Sequence, residues 1–181
     1  GRDHVTHAEL AVTNDGKFLG FKNETIANLG AYARVFGTVT PTYLFGPCAT
    51  GVYEIPAAYS NVKAVYTNTA PVDAYRGAGR PEATYTIERL VEKAAMELGI
   101  DKTEIRMKNF PKQFPFKQTL VHTVDSGDYV AGLEKAKQMA DYSGYAERKR
   151  KSESKGKLRG IGVSSYFEAC GIAPSAAVMS L

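Results

Sequence analysis

Tryptophan is absent from this 181-residue chain, cysteine occurs twice and histidine three times. Cys48 and Cys170 lie too far apart in sequence to read as a disulfide framework, and so sparse a count suits a reducing cytoplasm. The histidines and cysteines are too scattered for a zinc site. The ligand-like gap His4-x-x-His7 has no third ligand beside it and reads as a pair at a strand end. No apolar run approaches the roughly 18–20 residues that a membrane-spanning helix needs. The opening Gly1-Arg2-Asp3-His4 is too polar for a secretory signal. The chain starts without Met and stops on an apolar run, Ala173 to Leu181, so it reads as a piece of a longer protein.

What is present suits one soluble domain or one and a half, with 44% hydrophobic and 23% charged residues. The net charge of +4 is concentrated in one window, Glu147 to Lys157, whose six cations and two anions account for the whole excess. Basic residues are not interleaved with aromatics there, as a nucleic-acid surface would require, and the segment reads as a solvated helix end. Docking of an acidic partner or nucleic acid on 148–157 is the alternative reading, that of a non-catalytic binding module.

Apolar alternation at Ala8, Leu10 and Val12, then Asn14-Asp15-Gly16-Lys17, then Phe18 to Phe21, predicts a hairpin. Thr25 to Ala33 reads as a further strand or its continuation. Phe36 to Gly51 reads mainly as loop, with a short helical turn at most. Ala64 to Thr69 is β-branched and aromatic and predicts a strand. The clearest element is a helix opening near Pro81, with Ala83, Ile87, Leu90, Val91, Ala94 and Leu98 at helical spacing and Gly99 at its end. Asp101-Lys102-Thr103-Glu104 resembles a capping box for a second helix. A third is expected from Ser126 or Gly127, with Val130, Leu133, Ala136 and Ala140 on one face. A basic helix follows Tyr142-Ser143-Gly144, and Leu158 to Phe167 reads as a final strand. The order of elements points to an α+β fold, with the Lys-Ser-Gly stretch near 151–156 as a subdomain boundary.

The run Val72-Asp73-Ala74-Tyr75-Arg76-Gly77-Ala78-Gly79-Arg80-Pro81-Glu82 stands between strand and helix. Glycine leaves room for a bound group and takes φ > 0 cheaply. Arginine offers a fixed fork of donors to phosphate or other oxyanions. Backbone brought close to a large anionic cofactor is one reading, and a tight strand-to-helix turn with solvated arginines is the other.

Around this run the chain resembles the molybdenum-binding large subunit of the xanthine oxidase, aldehyde oxidase and carbon monoxide dehydrogenase family. The likeness is carried by Gly1-Arg2-Asp3-His4, by Tyr53-Glu54-Ile55-Pro56, and by Tyr66-Thr67-Asn68-Thr69-Ala70-Pro71 leading into Ala74 to Ala83. It continues through Glu88-Arg89-Leu90, Ile105-Arg106-Met107-Lys108-Asn109-Phe110 and Phe167 to Ser175. It extends over essentially the whole chain and about a quarter of such a subunit. The resemblance implies part of a molybdopterin-binding domain, with 1–155 in a first subdomain and 156–181 opening a second. It implies a molybdenum–molybdopterin cofactor, in the cytosine dinucleotide form in bacterial members, and hydroxylation with water as the oxygen source. Electrons would pass to two iron–sulfur clusters of the 2Fe-2S type and to FAD. The implied partners are an iron–sulfur small subunit and an FAD-binding medium subunit, in a hetero-oligomer such as a dimer of heterotrimers.

The resemblance further places Tyr75 to Gly79 at the molybdenum centre. Arg76, Gly77 and Gly79 would border the cofactor, and Tyr75 and Ala78 the substrate pocket. Ala78 holds a position that often carries a Phe over the substrate, so it implies either a roomier pocket or ordinary turn packing. No catalytic residue is assigned within the chain, because the family's general base, a Glu, is expected beyond residue 181. Glu168 is given a structural or outer pocket role, and Arg80 and Glu82 local pairing or helix capping. Copper-dependent carbon monoxide dehydrogenases carry Cys-Ser-Phe-Arg where this chain has Gly77-Ala78-Gly79-Arg80, and Gly77 offers no thiolate for copper. The Arg that orients purines in xanthine oxidases is matched by Leu44. An aldehyde, an N-heterocycle or another small organic substrate remains open, as does carbon monoxide, whose name sequences of this form often bear. Cys48 and Cys170 read as buried structural thiols.

Overall fold

The structure, a computed structural model, describes residues 2–168. Cys170 and the expectations made for 169–181 lie outside the described residues. Strands β1 (His4–Val12) and β2 (Phe18–Gly30) pair antiparallel, and their turn closes with the Gly16 N–H on the Thr13 carbonyl at 2.8 Å. The stretch from Thr25 is therefore a continuation of β2, not a separate strand. β3 (Ala57–Tyr66) runs parallel to β2 on its other side, so β2 is central in the order β1-β2-β3. β3 starts well before Ala64. It is an edge strand, and its Ser60, Asn61 and Lys63 blur the alternation that marks a half-buried strand.

The connection between the parallel strands, expected mainly as loop, is instead a series of short helical turns. They are α1 (Val35–Val39), a π turn over Thr40–Leu44 and a 3-10 turn over Gly46–Cys48. Pro41 and Pro47 each open a turn, where the missing N–H costs nothing, so these prolines start structure instead of breaking it.

Helix α2 (Arg80–Leu98) has Pro81 in its first turn and ends at Gly99 in the left-handed region. On its buried face Ile87, Val91 and Ala95 pack with Phe18 and Phe21, and Ala83 packs with Phe45 and Cys48. Full burial of Ile87 and Val91 contributes about 1.5–3 kcal/mol each. α3 (Lys102–Asn109) is capped by Asp101, which accepts from the N–H groups of Thr103 at 2.7 Å and Glu104 at 3.2 Å. A two-residue hairpin, β4 (Phe116–Lys117) and β5 (Thr123–Val124), follows; nothing in the sequence marked it. α4 (Tyr129–Met139) begins later than Ser126 because Asp128 is its cap, accepting from the Ala131 N–H at 2.9 Å. α5 (Tyr145–Glu153) is the basic helix.

The strand expected over Leu158–Phe167 does not form. The segment is extended, with alternating burial from 161 to 168, but it joins no sheet among the described residues. Side chains of α2 and α3 take the place of a neighbouring strand. The Ile161 carbonyl accepts from Lys102 Nζ at 3.2 Å, and the Val163 carbonyl from Arg106 Nη2 at 3.0 Å. The Ser165 N–H donates to Glu88 Oε2 at 3.1 Å.

The last two contacts belong to a buried polar network. The Arg106 side chain is fully buried and donates to Glu88 Oε2 through Nε at 3.0 Å and Nη2 at 2.9 Å. Its Nη1 donates to the Lys102 carbonyl at 2.7 Å. The Tyr53 hydroxyl donates to Glu88 Oε1, and burial followed by that carboxylate pushes the phenol well above its usual pKa. Asn109 accepts from the Phe18 N–H at 2.8 Å and donates to the carbonyls of Gly16 and Ile105. Stretches that carry the family resemblance, around Tyr53, Glu88 and Arg106 to Asn109, thus join the hairpin, α2, α3 and the 161–168 segment.

Candidate functional site

The segment after β3 stays fastened to the end of β2. Asn28 accepts from Thr67 Oγ1 at 2.7 Å and donates to Thr69 Oγ1 at 3.0 Å and Asp3 Oδ2 at 2.7 Å. The Val72 N–H donates to the Leu29 carbonyl at 3.1 Å. The chain then reaches the turn at Tyr75–Gly79, which the Ala78 N–H closes on the Tyr75 carbonyl at 2.8 Å. Gly77, Ala78 and Gly79 all have positive φ, at 98°, 36° and 85°. Such a run is left-handed backbone that only glycine adopts freely, so Ala78 sits between its two glycines under strain.

Both glycines have reasons inside the protein. A Cβ on Gly79 would stand 2.6 Å from the Leu44 carbonyl carbon and 2.7 Å from the Phe45 nitrogen and the Thr40 oxygen, all backbone. A Cβ on Gly77 would stand 2.6 Å from Pro81 Cγ. Gly79 is buried against residues 40–45, whereas Arg76 and Tyr75 are exposed and Gly77 and Ala78 are half-buried. The outward part of the turn is therefore Tyr75 to Ala78.

This outward part has donors to spare. Among the described residues, the main-chain N–H groups of Arg76 and Gly77 have no acceptor, and the Arg76 guanidinium makes no hydrogen bond or ion pair. Successive free N–H groups at a turn, beside an unpaired guanidinium, form an anion-binding surface. An oxygen-rich anionic group such as a phosphate-bearing pterin fits this donor set.

Arg80 and Glu82 find their ionic partners far along the chain, not locally as expected. Arg80 Nε donates to Glu168 Oε1 at 2.8 Å, and its Nη1 to the Ala78 carbonyl at 3.1 Å. Glu82 Oε1 lies 2.8 Å from Arg2 Nε. Arg80 also borders a groove of about 650 Å³ between α2 and the 161–168 segment, lined further by Tyr85, Glu88, Arg89, Glu92 and Tyr166. Tyr75 and Ala78 do not line that groove.

Cys48 is buried, and burial pushes its thiol up to about 11, so it stays protonated at neutral pH. Its Sγ lies 3.5 Å from His122 Nε2. Burial, and then the Arg80 guanidinium, hold that imidazole below its usual pKa. His122 is 74 residues from Cys48 in sequence, and no motif pointed to it. In the basic segment, Arg148 pairs with Asp141, Lys149 with Glu153 at 3.4 Å and Arg150 with Glu147 at 2.5 Å. Among the described residues, no helix is long and apolar enough to cross a membrane, and no group of three or more His, Cys, Asp or Glu could hold a metal.

Residues 1–110 match the molybdopterin cofactor-binding domain family. Over 182 residues the chain is 42% identical to the carbon monoxide dehydrogenase large chain of Hydrogenophaga pseudoflava, spanning 96% of this chain and 22% of that one. It is 34% identical to the 6-hydroxypseudooxynicotine dehydrogenase complex subunit gamma of Paenarthrobacter nicotinovorans, spanning 94% and 22%. Its fold superposes on quinoline 2-oxidoreductase from Pseudomonas putida 86 with a TM-score of 0.79 at 30% identity, spanning 84% and 20%. The chain belongs to the molybdopterin cofactor-binding domain family, as found in large subunits of molybdenum-dependent dehydrogenases, and has their α+β fold. It spans about a fifth of the length of these relatives.

Proposed function

We propose that the protein carrying this chain is the large subunit of a molybdenum hydroxylase and that the Tyr75–Gly79 turn borders its metal centre. The observation that carries the reading is the donor set at the exposed part of the turn: two main-chain N–H groups and one guanidinium with no partner among the described residues. Arg76 and Gly77 hold oxygens of the molybdenum–molybdopterin cofactor, and Gly79 keeps the turn in place from its buried position. Tyr75 and Ala78 border the substrate. The cofactor, when bound, supplies two-electron oxidation with water as the oxygen source. Preorganised N–H donors stabilise oxygen that gains negative charge during such a reaction.

The chain's relatives support a small organic substrate. One is named for a nicotine-derived compound, and a fold neighbour for quinoline. An aldehyde or an N-heterocycle is the substrate class favoured here. Carbon monoxide is favoured by the name of the relative at 42% identity and disfavoured by Gly77, which has no thiolate. The cofactor is in the cytosine dinucleotide form, and electrons leave to 2Fe-2S clusters and FAD on small and medium partner subunits in a cytoplasmic hetero-oligomer. The word "complex" in the name of the Paenarthrobacter relative supports the multisubunit part of this reading. Residues 1–155 belong to a first molybdopterin-binding subdomain, and 156–181 open a second.

The test is metal and nucleotide analysis of the complete complex, with Arg76→Gln beside the wild type. Among the described residues the exposed Arg76 side chain has no hydrogen bond or ion pair to lose, so the melting temperature should hold while turnover falls about tenfold or more. Wild-type complex without molybdenum, or an Arg76→Gln variant with full turnover, would overturn the proposal.

A further inference from the structure

Arg2 reaches three parts of the site at once. Its Nη2 donates to the Arg76 carbonyl at 2.9 Å, and its Nε lies 2.8 Å from Glu82 Oε1. Its guanidinium carbon stands over the Tyr75 ring, 5.1 Å from the centroid. Glu82 sits in the first turn of α2, its carboxylate only 9% exposed. A carboxylate that buried needs a cation, and among the described residues Arg2 reaches it. The helix N-terminus favours negative charge at the same place.

The contact on the Arg76 carbonyl matters because of what that peptide is. The Arg76 carbonyl belongs to the same peptide plane as the Gly77 N–H, one of the two outward donors. Holding the oxygen from one side fixes the direction in which that N–H points. The turn's other hydrogen bonds hold neighbouring peptides and leave the Arg76 carbonyl to Arg2: Ala78 N–H to Tyr75 at 2.8 Å, Arg80 N–H to Gly77 at 3.3 Å, Arg80 Nη1 to the Ala78 carbonyl at 3.1 Å and Ala83 N–H to Gly79 at 3.0 Å. A lysine could not replace Arg2. One ammonium cannot reach along two directions and lie flat over a ring, as a planar fork does.

We infer that Arg2, anchored by Glu82, is a positioning residue that sets the orientation of the Arg76–Gly77 peptide and so aims the turn's donors at their ligand. The inference rests on the placement of the turn proposed above. The experiment uses the complete large subunit in its complex, with Arg2→Gln and Arg2→Lys. Hydrogen exchange is read on a peptide covering 75–80 and on one covering 87–95. In Arg2→Lys the turn should exchange about tenfold faster, while the α2 peptide keeps its protection. Turnover should fall about tenfold to a hundredfold, as for a misaimed catalytic group. The Mo(V) resonance spectrum should shift at unchanged molybdenum content. Arg2→Gln should show the same changes with further loss at Glu82. A turn peptide that stays protected in Arg2→Lys, or full recovery of exchange, spectrum and turnover by lysine, would overturn the inference and leave the proposed function standing. Wild-type complex without molybdenum would overturn the proposed function, and the exchange arm would still judge the clamp.

Discussion

Arg106 is the residue whose loss should cost most. Its guanidinium is fully buried and donates to Glu88, the Lys102 carbonyl and the Val163 carbonyl, with Glu92 Oε2 3.5 Å from Nη2. Truncation strands a buried Glu88 carboxylate, which carries a cost of about 3–5 kcal/mol. Arg106→Met should therefore lower unfolding free energy by about that amount. Adding Glu88→Gln should return a large share, because the uncompensated charge is then gone. Denaturant titration of the single and double variants checks both outcomes; a double variant no more stable than the single would show that the charge is not what matters. At this scale the sequence was partly legible. Tyr53, Glu88, Arg106 and Asn109 stand in the stretches that carry the family resemblance, yet nothing in their spacing says that they meet. They lie on three different segments, the connection before β3, α2 and α3, and their common ground is created only by packing. Gly77 and Gly79 show the converse. Their positions were legible as places where a side chain would not fit, and within the protein itself the nearest obstacles are Pro81 and residues 40–45.

At the scale of elements, local signals told most where a capping residue or a helical stripe was present. α2 and α3 follow the expected spacing closely, because Pro81, Gly99 and Asp101 mark their ends. The Asp101 cap gives a direct test. Asp101→Ala removes the acceptor of two α3 N–H groups and the partner of the Tyr142 hydroxyl at 2.9 Å. It should destabilise by about 1 kcal/mol, read as a loss of exchange protection in the first turn of α3 before any loss in α2. Protection lost equally in both helices would contradict a local role. Elements that depend on distant partners were not legible. The 158–168 segment alternates like a strand, but side chains of Lys102, Arg106 and Glu88 bond its backbone at Ile161, Val163 and Ser165 where a neighbouring strand would. The turns between Val35 and Cys48 were hidden because Pro41 and Pro47 suggested breaks where they open short helices.

For the whole molecule, the three-stranded sheet, α2 and the buried network form one frame, and the Tyr75–Gly79 turn hangs from it at the junction of β3 and α2. The sheet end holds that turn through Asn28, α2 holds it through Pro81 and Glu82, and residues 40–45 close over Gly79. A frame this well tied explains how a strained left-handed run persists. The central claim is that its outward donors face the molybdopterin cofactor. The most direct measurement is an experimental structure of the complete, cofactor-loaded complex, read at the Arg76 and Gly77 nitrogens. At least one should lie within about 3.2 Å of a cofactor or metal-ligand oxygen. A turn that faces bulk solvent, with the pterin elsewhere, would contradict the claim.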